Sequence, residues 1–284
     1  MAANVRAIKS RIGNIENIAQ ITRAMNAIAM TKVARMKKRL ASVRPYAEEI
    51  EAFIGRLIAQ LPADTPGHPL MNENGSDNVG ILVLNSDRGL CGRYKGDLNR
   101  KTEELLSEYG NHARLLAGGE RARVYFERHG IRPLRTYAHA YDTPTLEASD
   151  GIAADVCDLY LRGEIGRVIV VSMQFVSDLG QRLVTTELLP ATADPVDGDV
   201  LIEPTPANAL DVAIPLLVQA RLYRAILETK ASEDAIRRQA MKSATDNAEE
   251  LVQDLTRTYN RARQQAITLE LADIIGGADA LRSD

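Results

Sequence analysis

Tryptophan is missing from this 284-residue chain and phenylalanine occurs three times, so that the aromatic residues together make up 4% of it. A single compact core of this size normally relies on large aromatic fillers, and their scarcity argues against one globular ball. Cysteine is nearly absent as well. Cys91 and Cys157 are too few for a disulfide framework, nothing resembles a metal quartet or a CxxC redox pair, and a reducing compartment is the default. Long apolar runs are also lacking. None approaches the ~20 residues that cross a bilayer, and the opening Met-Ala-Ala-Asn-Val-Arg-Ala-Ile-Lys has no signal-peptide core. A soluble chain that can still attach to something embedded in a membrane is expected. With 45% hydrophobic residues and a formal charge of −3, disorder is excluded.

Alanine takes the place of the aromatics. It occurs 27 times in residues 1–59 and 207–284 but 11 times in the 147 residues between them, which favours closely packed helices at both ends of a different central module. Charge is just as uneven. Met1 to Pro45 hold ten Lys/Arg and one acid, Glu16, so that a segment of +9 is joined to a remainder of −12.

The first segment places Ile8, Ile12, Ile15, Ile18, Thr22, Met25, Ala29, Val33, Met36, Leu40 and Val43 at steps of three or four, continued by Ile50, Phe53, Leu57 and Leu61. That spacing predicts one amphipathic helix of about 55 residues, on the order of 80 Å long. From Ala207 to Ile275 a second stripe runs through Leu216, Ala220, Tyr223, Leu227, Ala231, Ala235, Met241, Ala248, Leu255, Ala262 and Leu269, interrupted only by Pro215 near the start. Two such helices most simply pair as an antiparallel coiled coil. Lys32 and Arg39 near the seam make the heptads irregular.

Between them, Pro62 to Asn72 is rich in chain breakers, and Val79-Gly-Ile-Leu-Val-Leu then reads as a strand buried on both faces. Helical patterns at Leu98–Tyr109, Glu120–His129 and Leu146–Arg162 alternate with strand patterns at Ala113–Ala117, Ile131–Ala138, Arg167–Phe175 and Arg182–Leu189. The expected architecture is a coiled-coil helix over 1–61, a linker over 62–76, an α/β (Rossmann-like) domain with a mainly parallel sheet over 77–205, and a second coiled-coil helix over 206–284. The paired helices form a rod projecting from that domain.

Candidate chemistry is thin. Asn85-Ser-Asp-Arg-Gly-Leu-Cys-Gly follows a strand, where α/β proteins hold phosphates, but it has neither GxxxxGK[ST] nor GxGxxG spacing and reads first as a structural turn. Cys91 within it lacks a triad-like partner, and His68, His112, His129 and His139 show no metal-ligand spacing. Cys157 is expected in the core. The basic run Lys32, Arg35, Lys37, Lys38, Arg39 and Arg44 fits a nucleic acid, an acidic protein surface or plain solvation equally well, and it lacks interleaved aromatics. Ala266 to Leu281 is mostly apolar at the end of a helix that outruns its partner, so it either folds back or enters a sleeve made by other chains.

Three blocks resemble the gamma subunit family of F-type ATP synthases over nearly the full length: Ile8-Lys-Ser-Arg-Ile through Ile21-Thr-Arg-Ala-Met to Lys32; Ser86-Asp-Arg-Gly-Leu-Cys-Gly; and Met241-Lys-Ser-Ala-Thr-Asp-Asn-Ala through Tyr259-Asn-Arg-Ala-Arg-Gln to Ile267-Thr-Leu-Glu and Gly276-Gly-Ala. The resemblance implies a central rotor stalk without bond chemistry, catalytic residue, cofactor or metal. Its partners would be the alpha and beta subunits of the catalytic ring, the epsilon subunit and the membrane c-ring, with no nucleic acid and no membrane insertion. By motif, Met25, Arg263, Gln264, Thr268 and Glu270 match beta-subunit contacts; Lys9, Arg23, Lys32 and Arg35 present a basic face to acidic beta levers; and Glu203 and Pro204 lie near epsilon and the c-ring. Asn26, Arg93-Tyr-Lys95, Asp234 and Arg238 depart from the family pattern. With no chloroplast-type cysteine insertion and no transit segment, a bacterial form at the cytoplasmic face of the plasma membrane, without thiol control, is expected. The alternatives from other classes are a ligand-binding or signalling α/β domain dimerised by its coiled coil, and a basic coiled-coil nucleic-acid binder.

Overall fold

The computed structural model describes residues 2–62, 67–140, 143–198, 201–203 and 205–282. In chain order the elements are α1 (Ala2–Ala59), β1 (Val79–Leu84), α2 (Tyr94–Tyr109), a 3-10 turn (Gly110–His112), β2 (Ala113–Gly118), α3 (Glu120–Arg128), β3 (Arg135–Tyr137), α4 (Leu146–Leu161), β4 (Arg167–Phe175), β5 (Gln181–Leu189) and α5 (Pro206–Arg282). They fall into two compact units, residues 29–237 and residues 1–28 with 238–284, and the division passes through both long helices.

In the larger unit the sheet order is β3-β2-β1-β4-β5. β1 pairs in parallel with β2 and β4, β3 pairs in parallel with β2, and β5 closes the far edge antiparallel to β4. The apolar run of β1 is explained by burial of both its faces. Leu82 and Leu84 pack with α4, the last turns of α1 and the first turns of α5, whereas Val79, Ile81 and Val83 pack with α2 and α3. Connections leave β1 toward β2 and come back past it to β4, which sets the topological switch point between β1 and β4.

Two expected elements shift. α2 starts at Tyr94 rather than Leu98, because the fully buried Tyr94 folds into the core and its hydroxyl donates to the Leu84 carbonyl at 3.2 Å. β3 shrinks to Arg135–Tyr137, since Pro133 has no N–H to give the ladder and the strand lies at an edge. The segment after Pro62 is tied down at its far end. Asn74 Nδ2 donates to the carbonyls of Tyr160 and Ile165, and Leu70 is buried with its carbonyl accepting from the Ala191 amide at 2.7 Å.

Within the larger unit α1 buries Ala29, Val33, Met36, Leu40, Ala47, Ile50, Ile54 and Leu57, and half-buries Val43. The steps alternate strictly between four and three, a true heptad seam. Phe53, expected on this seam, is 40% exposed, and the adjacent Ile54 takes its place with no exposure. Lys32 and Arg39 flank the seam half-buried, so the heptads are regular where the sequence pattern suggested irregularity. Facing α1, α5 contributes Leu227, Ala231 and Ala235. Arg44 pairs with Glu228 at 3.0 Å and Glu51 with Arg221, so seven residues up α1 correspond to seven down α5, an antiparallel pair.

The smaller unit has its own pairing of α1 and α5. Ala19 and Thr22 are buried with Met241, Thr245 and Ala248, and the hydroxyls of Thr22 and Thr245 lie 2.8 Å apart. Small side chains let the two backbones approach closely there. Ile18, expected on the seam, is 52% exposed because Ala19 occupies it. Arg23 bonds Glu249 in the same antiparallel sense.

Leu57 is fully buried in the core shared by α1, α4, α5 and the sheet. Truncation to alanine there should cost ~2–5 kcal/mol through lost transfer energy and a residual cavity. Urea unfolding should show a lower midpoint at unchanged slope.

Candidate functional site

Ligands of open α/β sheets settle beyond the carboxyl ends of the strands at the switch point. In this chain that place is taken by α5. Thr229 Oγ1 accepts a hydrogen bond from the Met173 amide at 3.2 Å, and Ser232 Oγ donates to the Met173 carbonyl at 3.4 Å. One turn on, Ile236 packs against the apolar residues of β1, α2 and α3. Every residue from Ile226 to Ala235 is buried, so the helix has no solvent-facing side over nearly three turns.

The polar residues of this stretch answer one another. Lys230 Nζ donates to Glu233 Oε2 at 3.0 Å, and Arg237 donates from one guanidinium nitrogen to Glu233 and from the other to Asp234 at 2.7 Å. Side-chain exposure is 1% for Glu233 and Asp234 and 4% for Lys230. Burial works against the charge of Arg237, yet the Glu233 and Asp234 carboxylates hold its pKa above the ordinary value. Burial, reinforced by neighbouring Glu233, pushes Asp234 above the usual 3.8 despite Lys230, Arg237 and Lys32. Removing Glu233, the carboxylate that serves both Lys230 and Arg237, would cost ~3–5 kcal/mol, because two buried cations would lose their shared partner.

The Asn85–Gly92 loop lies beside this helix, where Cys91 and Ile236 share a cluster, and several of its polar groups are bonded within the α/β unit. Asn85 donates to Asn99 Oδ1 at 2.7 Å and accepts from the Ser86 amide, while Asp87 Oδ1 accepts the amides of Glu120 and His139 at 2.9 Å each. Gly119 (φ 89°) runs so close beneath the loop that a Cβ would stand 2.4 Å from the Asn85 carbonyl oxygen. Those bonds fasten the loop to α2 and α3 in the manner of a structural turn. Cys91 is buried, 3.7 Å from Ser86 Oγ. Burial pushes the Cys157 thiol up to about 11, which keeps it protonated and sluggish as a nucleophile.

The basic run of α1 is divided, with Lys32, Arg39 and Arg44 half-buried and Arg35, Lys37 and Lys38 exposed. Arg44 bonds Glu228 and the Phe175 carbonyl, Lys37 pairs with Asp178 at 3.2 Å, Arg39 reaches the Pro144 carbonyl, and Lys32 acts on Asp234. Arg35 is exposed, as are Lys9 and Arg23 in the smaller unit, where Arg23 meets Glu249. Met25 is half-buried beside the seam, and Arg263, Gln264, Thr268 and Glu270 are exposed on α5, with Thr268 Oγ1 donating to the Gln264 carbonyl at 2.9 Å. The Arg23–Glu249 register sets Met25 near residue 247 and Lys9 near Arg263, so Met25 and the Arg263 group lie about 24 Å apart along the helix. They form two stations, not one site. Glu203 is exposed, and Pro204 lies outside the described residues.

One surface was not anticipated from the sequence. A groove of about 540 Å³ runs between the last turns of α1 and the first of α5, lined by Phe53, Leu57, Leu201, Val212 and Leu216, with Glu203 among its residues. Leu201 is 87% and Val212 72% exposed. The only signal was an apolar Leu201-Ile202 pair inside an acidic, proline-rich connection. Among the described residues no three His, Cys, Asp or Glu side chains gather as a metal site, and no helix is long and apolar enough to cross a membrane.

A family model described as ATP synthase matches residues 4–281. The ATP synthase gamma chain of Symbiobacterium thermophilum is 36% identical, over 99% of this chain and all of the relative, and that of Frankia casuarinae is 38% identical over 100% and 99%. Among solved structures, a chain of the Euglena gracilis mitochondrial ATP synthase covers all of this chain and 96% of its own length at 17% identity and a TM-score of 0.68, a likeness of fold.

Asp234 is the surplus carboxylate of the buried network, because Glu233 already serves both cations. A pKa raised by folding means that the folded state binds the proton more tightly than the unfolded one. Ionised Asp234 therefore works against the fold at neutral pH and ceases to do so as pH falls below its raised value. Asp234→Asn should raise the calorimetric midpoint at pH 7.5, with the gain shrinking toward the ordinary carboxylate range. A gain that grows on acidification would contradict this assignment.

Proposed function

This chain belongs to the gamma-chain family of ATP synthases, and from that premise we propose that it is the central rotor stalk of an F-type ATP synthase. In this reading it links rotation of a membrane c-ring to sequential changes at three catalytic beta subunits and carries out no bond chemistry itself. The observation that supports it best lies in the smaller unit. From Glu249 to Ile275 none of the α5 side chains described is buried, and Leu251, Ile267, Leu269, Leu271, Ile274 and Ile275 are each more than 40% exposed. An apolar helix surface of that extent needs a cover, and a sleeve of alpha and beta subunits supplies one.

The proposed mechanism follows from asymmetry. A stalk that touches each beta subunit differently biases a two-state element in each, so turning it changes the three nucleotide sites in sequence. Met25 forms one contact station, and Arg263, Gln264, Thr268 and Glu270 the other. Lys9, Arg23 and Arg35 steer toward acidic beta surfaces. Arg23 can exchange Glu249 for a carboxylate of a partner at small cost, because an exposed pair contributes only ~0–1 kcal/mol. Lys32 contributes less than the sequence suggested, since it faces Asp234. Epsilon and the c-ring meet the α/β unit around Glu203 and Pro204, and the apolar groove gives that meeting its grip. The chain is thus peripheral to the bacterial plasma membrane, on its cytoplasmic face, held there through the c-ring.

A tagged chain expressed in its native host should copurify with alpha, beta and epsilon subunits and with ATPase activity. Recovery of the folded chain without them would remove the rotor reading. Ending the chain after Ile267 should leave the thermal midpoint of the α/β unit unchanged while ATP-driven ion pumping in reconstituted vesicles falls severalfold. Full pumping by the truncated chain would show that the apolar end is not the bearing.

A further inference from the structure

Asparagine is followed by glycine once in this chain, at Asn74-Gly75. In such a pair the following backbone nitrogen is least hindered, because glycine has no Cβ, and it can attack the asparagine carboxamide. The pair lies in the segment that leads into β1, and that segment is zipped to the connection between α4 and β4. The Tyr160 hydroxyl donates to the Asn72 carbonyl at 2.8 Å, the Gly166 amide to the Asn78 carbonyl at 2.7 Å, and Asn78 Nδ2 to the Glu164 carbonyl at 3.1 Å. Asn74 sits in the middle of this seam. Both protons of its Nδ2 are committed, one to the Tyr160 carbonyl and one to that of Ile165 at 2.8 Å, and its Oδ1 accepts the Ser76 amide at 3.0 Å. The two loops touch so closely that a Cβ on Gly166 would stand 1.8 Å from the Ser76 carbonyl oxygen. Gly75 itself is exposed, with a left-handed φ of 78°.

We propose that Asn74 is a self-modifying latch, kept intact while the linker is closed and converted one way to aspartate or isoaspartate in chains whose linker opens. The step needs water and no other reactant. The Gly75 nitrogen bonds to Cγ of Asn74 as the Cγ–Nδ2 bond breaks, and Nδ2 leaves as ammonia with the proton lost by Gly75. Water then adds across the cyclic imide. Cleavage of the new N–Cγ bond gives aspartate, and cleavage of the original peptide bond gives isoaspartate, whose main chain runs through Cβ. Either product releases one proton to solvent as its carboxyl ionises, and no electron is exchanged. In the closed linker three hydrogen bonds must break before Cγ can meet the Gly75 nitrogen and Nδ2 can depart. The product cannot close again on the same partners. A carboxylate has no proton for the Tyr160 and Ile165 carbonyls. It also faces the carbonyl end of α4, where the helix dipole opposes negative charge, and Glu73 already acts on Tyr160 there. Isoaspartate in addition lengthens the main chain by one carbon shortly before β1 starts at Val79. The latch stands independently of the rotor reading.

The test incubates the full chain at pH 7.5 in water labelled with heavy oxygen, and peptide mass spectrometry reads the change of amide to acid at Asn74 together with uptake of the label. The folded chain should convert about tenfold or more slowly than a synthetic peptide of residues 71–80, because only opened molecules react. In urea above the unfolding midpoint it should match the peptide. Gly166→Ala, which forces the two loops apart, should convert several times faster than the unsubstituted chain, and if it does not fold, Asn78→Ala takes its place. Asn74→Asp should lose about 4 °C or more from the thermal midpoint of the α/β unit. It should also be cut by thermolysin within residues 62–78 several times faster than the unsubstituted chain, with Asn74→Ala, which loses the donors but adds no charge, between the two. Three results would each overturn the proposal: conversion of the folded chain at the rate of the peptide, an unchanged rate in the loosened variant, or an Asn74→Asp chain as stable and as resistant as the unsubstituted one.

Discussion

From Ile226 to Ala235 the helix α5 has no face toward water, and the rest of the larger unit is arranged around that fact. A ten-residue stretch buried on all sides can be filled with apolar residues, or it can carry polar groups that satisfy one another. This chain does both, with Leu227, Ala231 and Ala235 toward α1 and the ionic network among the remaining positions. Because the stretch lies across the carboxyl ends of β1 and β4, the crevice that an α/β sheet ordinarily offers to a ligand is filled from within. The same occupancy explains the neighbouring loop. Asn85, Ser86 and Asp87 turn their polar atoms toward α2, α3 and their own backbone, and Gly119 is required because the backbone passes directly against Asn85.

Much of this architecture could be read from the residues. The length of both helices, the alternation of strands and helices, the parallel sheet and the both-faces burial of β1 follow from apolar spacing, and the structure agrees with them. The two misplaced seam residues have a common cause. Steps of three and four that are allowed to follow in any order drift around the helix, so Ile18 and Phe53 were set on the seam where Ala19 and Ile54 lie. Strict alternation, the requirement of a helix that supercoils with a partner, would have chosen correctly. The buried network was illegible for a deeper reason. Lysine, glutamate, aspartate and arginine at i, i+3 and i+4 are the pattern of a solvated helix face, and only a third layer packing over them makes the same pattern a core.

The site residues divide in a similar way. Arg263, Gln264, Thr268 and Glu270 stand out by motif, and all four are exposed on α5. The apolar groove by Leu201 and Val212 went unnoticed because it is assembled from the end of one helix, the start of another and a connection with no periodicity of its own. Sequence spacing reports faces of single elements. Surfaces built from three segments are visible only once the segments have met.

Charge gives the clearest case of a sequence quantity that changes meaning in three dimensions. The +9 of the first 45 residues suggests a strongly basic surface. Arg44 and Lys32 instead face Glu228 and Asp234 on α5, Lys37 pairs with Asp178 and Arg23 with Glu249, so part of that charge is matched by the acidic remainder of the same chain. Charge carried by residues already paired in this way attracts a nucleic acid or an acidic protein far less than its sum implies, because each new contact competes with an existing one. What stays open to other chains is a combination of a few exposed cations on α1 and a long, thinly covered apolar surface on α5. The first gives orientation at a distance and the second gives retention at contact, and a part that must be held firmly while it turns needs retention that does not depend on any one angle. Apolar contact, being non-directional, has that property.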